Sequence, residues 1–343
     1  MTNDLVIGGQ IIKRGERKRV FLDVAKLYDF TDMNIPIEVI RGKKDGPILF
    51  VSGAVHGDEI NGVEIVRQVL NKKSLSRIKG TLIAVPIVNV FGFNTKSRYL
   101  PDRRDLNRSF PGSESGSLTA QLAYTFMKEI VEKCTHGIDL HCAAINRINL
   151  PQIRACLDDE QTLAMAQAFN LPVVIHSELR DGSLREATQN LKIPTLLFEG
   201  GEALRFNGKV IKSGVQGVLS VMRHIGMLPA LKNKPKEKDI FVARSSHWLR
   251  APHSGILLAK KRIGDRVKKG QILGIISDPF GREKHDVIAR RSGIIIGGVT
   301  MPLLNRGDAV FHVATFEDPT AVEESVDLLE ETFDSDNGPR FLD

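Results

Sequence analysis

The sequence predicts an α/β fold followed by a small C-terminal β-barrel or sandwich, and three observations predict it. From Pro47 to about Gly226, short β-branched apolar runs alternate with helix-like segments. A charged, proline-containing stretch, P-A-L-K-N-K-P-K-E-K-D over 229–239, then interrupts the pattern. Beyond it the chain is glycine-rich and β-like, with a weak internal echo: S-G-I-L-L from Ser254 and G-D-R-V from Gly264, then S-G-I-I-I from Ser292 and G-D-A-V from Gly307.

In chain order, a β-rich lead-in over about 1–45 precedes the first buried strand, Ile48 to Val51. Apolar residues at three-and-four spacing then predict a helix from Ile60 to Leu70. A strand is expected from Leu82 to Val88, a second helix from Leu118 to Val131, and strands over Ile138 to Leu140, Pro172 to Ile175 and Thr195 to Phe198. The expected organisation is a catalytic unit over 1–228, a linker over 229–239, a β-rich unit over 240–316 and an acidic, partly frayed segment over 317–343. In open α/β sheets ligands sit beyond the carboxyl ends of the strands, so polar residues at strand exits are the candidates for function.

Composition narrows the class. With 42% hydrophobic and 26% charged residues among 343, the chain reads as an ordinary soluble protein. No apolar run approaches the ~20 residues of a membrane span, and the N-terminus does not resemble a secretory leader, so the expected location is the cytoplasm. Cys134, Cys142 and Cys156 are too few for a disulfide framework and read as reduced thiols. The +7 formal charge is spread out, with much of it between Lys232 and Lys269 and no interleaved aromatics. It predicts a solvated basic face, or steering of small anions toward a cleft, rather than nucleic-acid binding.

The sharpest local signal is V-S-G-A-V-H-G-D-E-I-N-G over 51–62, a strand running into a glycine-flexed turn that presents His56 and Glu59. One imidazole and one carboxylate suit zinc, and His141, at the exit of I-D-L-H, is the candidate third ligand. His136, His176, His224 and His247 lack such pairing and read as ordinary histidines. The run from Ser97 to Gly112 concentrates five arginine or asparagine side chains. Among them Asn107 and Arg108 suit a carboxylate clamp, and Arg98 suits stabilisation of an oxyanion. Glu199 follows I-P-T-L-L-F and precedes two glycines, placing a carboxylate at another strand exit, with Glu202 as its competitor for the role of general base.

These residues resemble those of the succinylglutamate desuccinylase and aspartoacylase family, within the wider group of zinc carboxypeptidase-like enzymes. The resemblance covers roughly 45–225: His56, Glu59 and the later His141 as the metal motif, Asp105 to Arg108 as the substrate motif, and Glu199 in F-E-G-G as the base. It implies a carboxypeptidase-like mixed sheet, one zinc per chain, and selection of Glu199 over Glu202. Arg98-Tyr99 matches the Arg-Tyr that precedes the substrate motif, with Arg103 and Arg104 as alternatives to Arg98. The stretch H-C-A-A-I-N-R-I-N-L-P-Q-I-R from His141 is closer to bacterial members that include N-acetyl-diaminobutyrate deacetylases, and it puts Arg147 and Arg154 near the cleft. The segment from about Phe241 to Ala314 is similar to the lipoyl-like barrel-sandwich that bacterial members append, without a lipoylation turn.

The expected activity is zinc-dependent hydrolysis of the amide bond of a small N-acyl amino acid, with Glu199 as general base on the activated water. A carboxypeptidase acting on short peptides and a non-catalytic metal-containing binding module are the alternatives. The expected partner is the small-molecule substrate alone, with no nucleic acid and no membrane, and the appended barrel and acidic tail leave surface for a homo-oligomer.

Overall fold

Residues 4–231 and 240–334 are described by a computed structural model of the chain. Most of the expected linker, 232–239, and the end of the acidic segment, 335–343, lie outside the described residues.

A hairpin of β1 (Leu5–Ile7) and β2 (Gln10–Ile12) leads into the antiparallel pair β3 (Arg17–Lys26) and β4 (Asp32–Arg41). Then come β5 (Lys44–Gly53), α1 (Asn61–Leu70), β6 (Lys79–Val85), α2 (Val90–Thr95), α3 (Leu118–Glu129), β7 (His136–Ala143) and β8 (Arg147–Ala155). The α/β unit closes with α4 (Glu160–Phe169), β9 (Val173–His176), α5 (Leu184–Asn190), β10 (Thr195–Glu202) and α6 (Gly208–His224). At the sheet's centre β5 runs parallel to β6 and β7, and β7 runs parallel to β10, while β4 and β8 are antiparallel to their neighbours β6 and β10. The predicted mixed α/β sheet is thus present.

Alternation along the strands builds its two cores. Leu49, Val51, Leu82, Ile138, Leu140 and Phe198 face α1, α4 and α6, whose Ile65, Phe169 and Val218 cover them. Phe50, Ile83 and Val85 point to the other side, onto Leu122 and Phe126 of α3. The expected strand from Leu82 begins earlier and stops at Val85, where Pro86 has no N–H to continue a ladder. β8 was not among the expected strands because Asn149, Pro151 and Gln152 break its apolar run. Pro151 is accommodated where the register of β8 against β10 slips by one, between Glu199↔Gln152 and Gly201↔Asn149.

Beyond residue 240 follow β11 (Phe241–Ala243), β12 (Ser245–Arg250), β13 (Gly255–Ala259), β14 (Arg266–Val267), β15 (Ile272–Ser277), β16 (Lys284–Ile288), β17 (Gly293–Val299), β18 (Leu303–Leu304), β19 (Ala309–Thr315) and α7 (Pro319–Asp334). β13, β15, β16 and β18 make a separate four-stranded sheet, packed over β12, β17 and β19 through residues such as Leu249, Leu273, Ile276, Ile295 and Val313. The second layer does not stand apart: β17 pairs with β8, and β11 with β9, so the main sheet runs through both regions. Within the acidic segment, 319–334 form α7, because Val322, Val326 and Leu329 recur at spacings of four and three and are buried; the end expected to fray lies outside the described residues.

Candidate metal centre and active-site cleft

β5 ends at Gly53, and its backbone turns through Ala54, whose φ is +49°. The glycines of this turn are therefore not its left-handed residues; they permit close packing. A Cβ on Gly57 would lie 2.0 Å from the carbonyl carbon of Gly92 in α2. Pressed there, the turn delivers His56 and Glu59 to the carboxyl edge of the sheet just ahead of α1, while β7 delivers His141. All three are buried.

The ligand-type atoms converge. Glu59 Oε1 lies 2.6 Å from His56 Nδ1, and Glu59 Oε2 lies 2.8 Å from His141 Nδ1. One ligand atom from each residue falls within 4.8 Å of the others, a grouping able to hold a metal ion. The opposite ring nitrogens are tied to carboxylates: His56 Nε2 to Asp105 Oδ1 at 3.1 Å and His141 Nε2 to Asp139 Oδ2 at 2.7 Å. Such carboxylate partners orient a metal-binding imidazole and raise its basicity. Asp139 is itself held by Ser52 Oγ, which donates to Oδ1 at 2.8 Å. The donor set and its supports therefore fit a divalent ion, which would replace the protons between these groups.

The electrostatics agree. Burial disfavours charge on His56, but Glu59 and Asp105 outweigh it and raise its pKa. His141 is likewise raised well above the ordinary value, burial being overcome by Asp139 and Glu59. Glu59, despite burial, is held well below the usual carboxylate range by the two imidazoles. Asp105 is also held down against its burial, by His56 and Arg98.

Glu199 stands beside His141, in register across the parallel pair β10 and β7. Its Oε2 accepts from Asn149 Nδ2 at 2.8 Å, and Arg154 Nε lies 4.0 Å from Oε1. Glu202 instead accepts from Thr300 Oγ1 and does not line the cleft. Arg98 does line it, bonded to Asp105 Oδ2 at 2.9 Å and to Glu59 Oε1 at 3.2 Å. Arg103 and Arg104 are exposed and are not among the lining residues. Asn107 and Arg108 follow Asp105 in a single 3₁₀ turn, and Asn107 Oδ1 accepts from the N–H of Leu184 at the start of α5. Arg147 and Arg154 also reach the cleft.

Among the lining residues that escaped sequence reasoning are Asn149 of β8, Arg180 and Arg185, from the loop and helix after β9, and Trp248 of β12. Arg185 is buried, donating to the Ser177 and Glu178 carbonyls, and burial with the charge of Arg154 pushes its pKa down to about 10. Arg180 is lowered by burial and by Arg108 and Arg154. The cations of this wall repel one another, so an anion in the cleft relieves them. Trp248 stacks on His312 with ring centroids 4.6 Å apart, and the Arg147 guanidinium carbon lies 5.3 Å from its ring centre.

A sequence model of the succinylglutamate desuccinylase/aspartoacylase catalytic domain matches residues 45–225, more than half of the chain. The chain belongs to this succinylglutamate desuccinylase/aspartoacylase family. Its relatives include the N-alpha-acetyl-L-2,4-diaminobutyric acid deacetylase of Halomonas elongata, 26% identical over 82% of this chain and 85% of the relative. Among solved structures, a succinylglutamate desuccinylase/aspartoacylase from Rhodobacter sphaeroides is 25% identical, with a TM-score of 0.78 over 88% of this chain and 96% of that one. The product-bound ectoine utilization protein EutE from Ruegeria pomeroyi has the same identity and TM-score over 88% and 95%. These alignments extend past the matched catalytic domain, so the C-terminal β region is part of what this family member shares with its relatives.

Proposed function

We infer that the protein is a zinc-dependent amide hydrolase that removes the acyl group from a small N-acyl amino acid in the cytoplasm. The reading is carried by the convergence of His56 Nδ1, Glu59 and His141 Nδ1 on one point, with both Nε2 atoms held by aspartates and Glu199 alongside. Zinc, when bound by these three residues, supplies Lewis acidity toward the acyl carbonyl and lowers the pKa of a water toward ~7. Glu199 takes the proton of the attacking water and returns it to the departing amine. Arg98, held rigidly by Asp105 and Glu59, places positive charge where the carbonyl oxygen becomes anionic. Asn107 and Arg108 clamp the substrate carboxylate, and Arg147 and Arg154, with Arg180 and Arg185, make the remaining wall cationic.

That wall favours substrates of net negative charge, such as acidic N-acyl amino acids. The deacetylase relative supports a small acyl group. A cavity of about 200 Å³ suits a small molecule of this kind, since pockets for drug-sized ligands run from ~300 Å³ upward.

Elemental analysis of wild type, His56→Ala and Glu199→Gln, with turnover measured on a panel of N-acyl amino acids and dipeptides, tests the proposal. The expected result is about one zinc per chain in wild type and Glu199→Gln, little in His56→Ala, and turnover lowered ~10²–10⁴-fold by Glu199→Gln. A wild-type protein that stays metal-free after zinc addition, or a Glu199→Gln variant with normal turnover, overturns it.

A further inference from the structure

Asn149 lies on β8, two residues before the proline at the register slip, with strands on both sides. On one side its Nδ2 donates to Glu199 Oε2 at 2.8 Å. On the other side it is paired with Gly297 of β17. A Cβ on Gly297 would lie 2.6 Å from Asn149 Oδ1, so the missing side chain is the space the amide carbonyl occupies. The φ of Gly297 is not in the left-handed region, so nothing in its own backbone conformation requires glycine. The contact with Asn149 does, with a lesser one from the Ile148 carbonyl oxygen at 3.2 Å.

A base must hold one geometry relative to the proton it takes, and a carboxylate without a fixed donor rotates freely. We propose that Asn149 is a positioning residue for Glu199 and that Gly297, contributed by the C-terminal β region, seats Asn149 for that task. The bond from Nδ2 occupies Oε2 and leaves Oε1 for the water. The inference rests on the reading of Glu199 as the base. It gives the C-terminal strands a part in the site made through one glycine, some 150 residues along the chain from the side chain it seats.

An alanine at 297 meets the free end of the Asn149 side chain at its closest contact and the Ile148 carbonyl oxygen at 3.2 Å, so the expected accommodation is a turn of Asn149 away from Glu199 with a shift of a few tenths of an ångström at Ile148. The test compares wild type, Glu199→Gln, Asn149→Ala, Gly297→Ala and the Asn149→Ala/Gly297→Ala double variant, all zinc-loaded, on the N-acyl amino acid that wild type hydrolyses fastest. Asn149→Ala and Gly297→Ala are each expected to lower kcat by ~10–100-fold, with KM and zinc content within about twofold of wild type. The double variant is expected to be no slower than Asn149→Ala alone, because Gly297 acts only through Asn149. Unchanged kcat in either single variant, or losses that multiply in the double variant, overturn the proposal. If Glu199→Gln keeps full turnover, the reading of the base fails instead. A crystal structure of Gly297→Ala then decides the seating: an amide swung off Glu199 supports it, and an amide still bonded to Oε2 overturns it.

Discussion

His56, Glu59 and His141 were readable because each depends on short-range geometry: a three-residue turn and a strand end, both set by local sequence. Asp139 was readable in principle, since residues two apart on a strand share a face, and the D-L-H spacing puts its carboxylate beside the third imidazole. Nothing local marks His312, which β19 carries under Trp248. Its Nε2 lies 3.0 Å from Ser246 Oγ, and burial, then the charges of Arg154, His247 and Arg180, pushes its pKa down to about 3. An unfolded histidine titrates near ~6.5. Between those values the unfolded chain binds a proton that the folded one refuses, so stability present above ~6.5 is lost as the pH falls toward 3, by up to ~1.4 kcal/mol per pH unit. His312→Phe keeps the stacked ring without this cost. Its urea midpoint relative to wild type should therefore improve on going from neutral pH to about pH 5, and parallel pH profiles would contradict the assignment.

At the scale of elements, the alternating strands and the periodic helices α1 and α3 were legible, whereas β8 was not. A strand carrying asparagine, proline and glutamine in its middle makes sense only beside the register slip of β10, a tertiary fact. Helix α6 raises a similar point. Gly217 in its middle reads as a weakness, since alanine there is worth ~1 kcal/mol in helix propensity. In the fold a Cβ at 217 would lie 1.9 Å from Phe169 Cε1 of α4, because the two helices approach through that glycine. Overpacking of this kind costs ~1–3 kcal/mol, so the clash exceeds the gain. Gly217→Ala should lower the urea midpoint. A midpoint at or above the wild-type value would mean that Phe169 can move aside freely.

For the whole molecule, the composition shift around residue 229 separates α/β-patterned from β-rich sequence. It did not reveal that the strands beyond it continue the same sheet. Pairings such as Gly297↔Asn149 and Phe241↔Val173 join residues too distant in sequence for any motif to link. That continuity brings the chain's single tryptophan, Trp248, to the wall of the cleft, between the His312 ring and the Arg147 guanidinium. The protein thus carries its own optical reporter of occupancy. Excited near 295 nm, only this indole emits, and an anion drawing Arg147 off its face should change the emission as the cleft fills. A titration with the product amino acid would then give a Kd without any label. Emission that stays constant while the same ligand inhibits turnover would place the ligand away from Trp248.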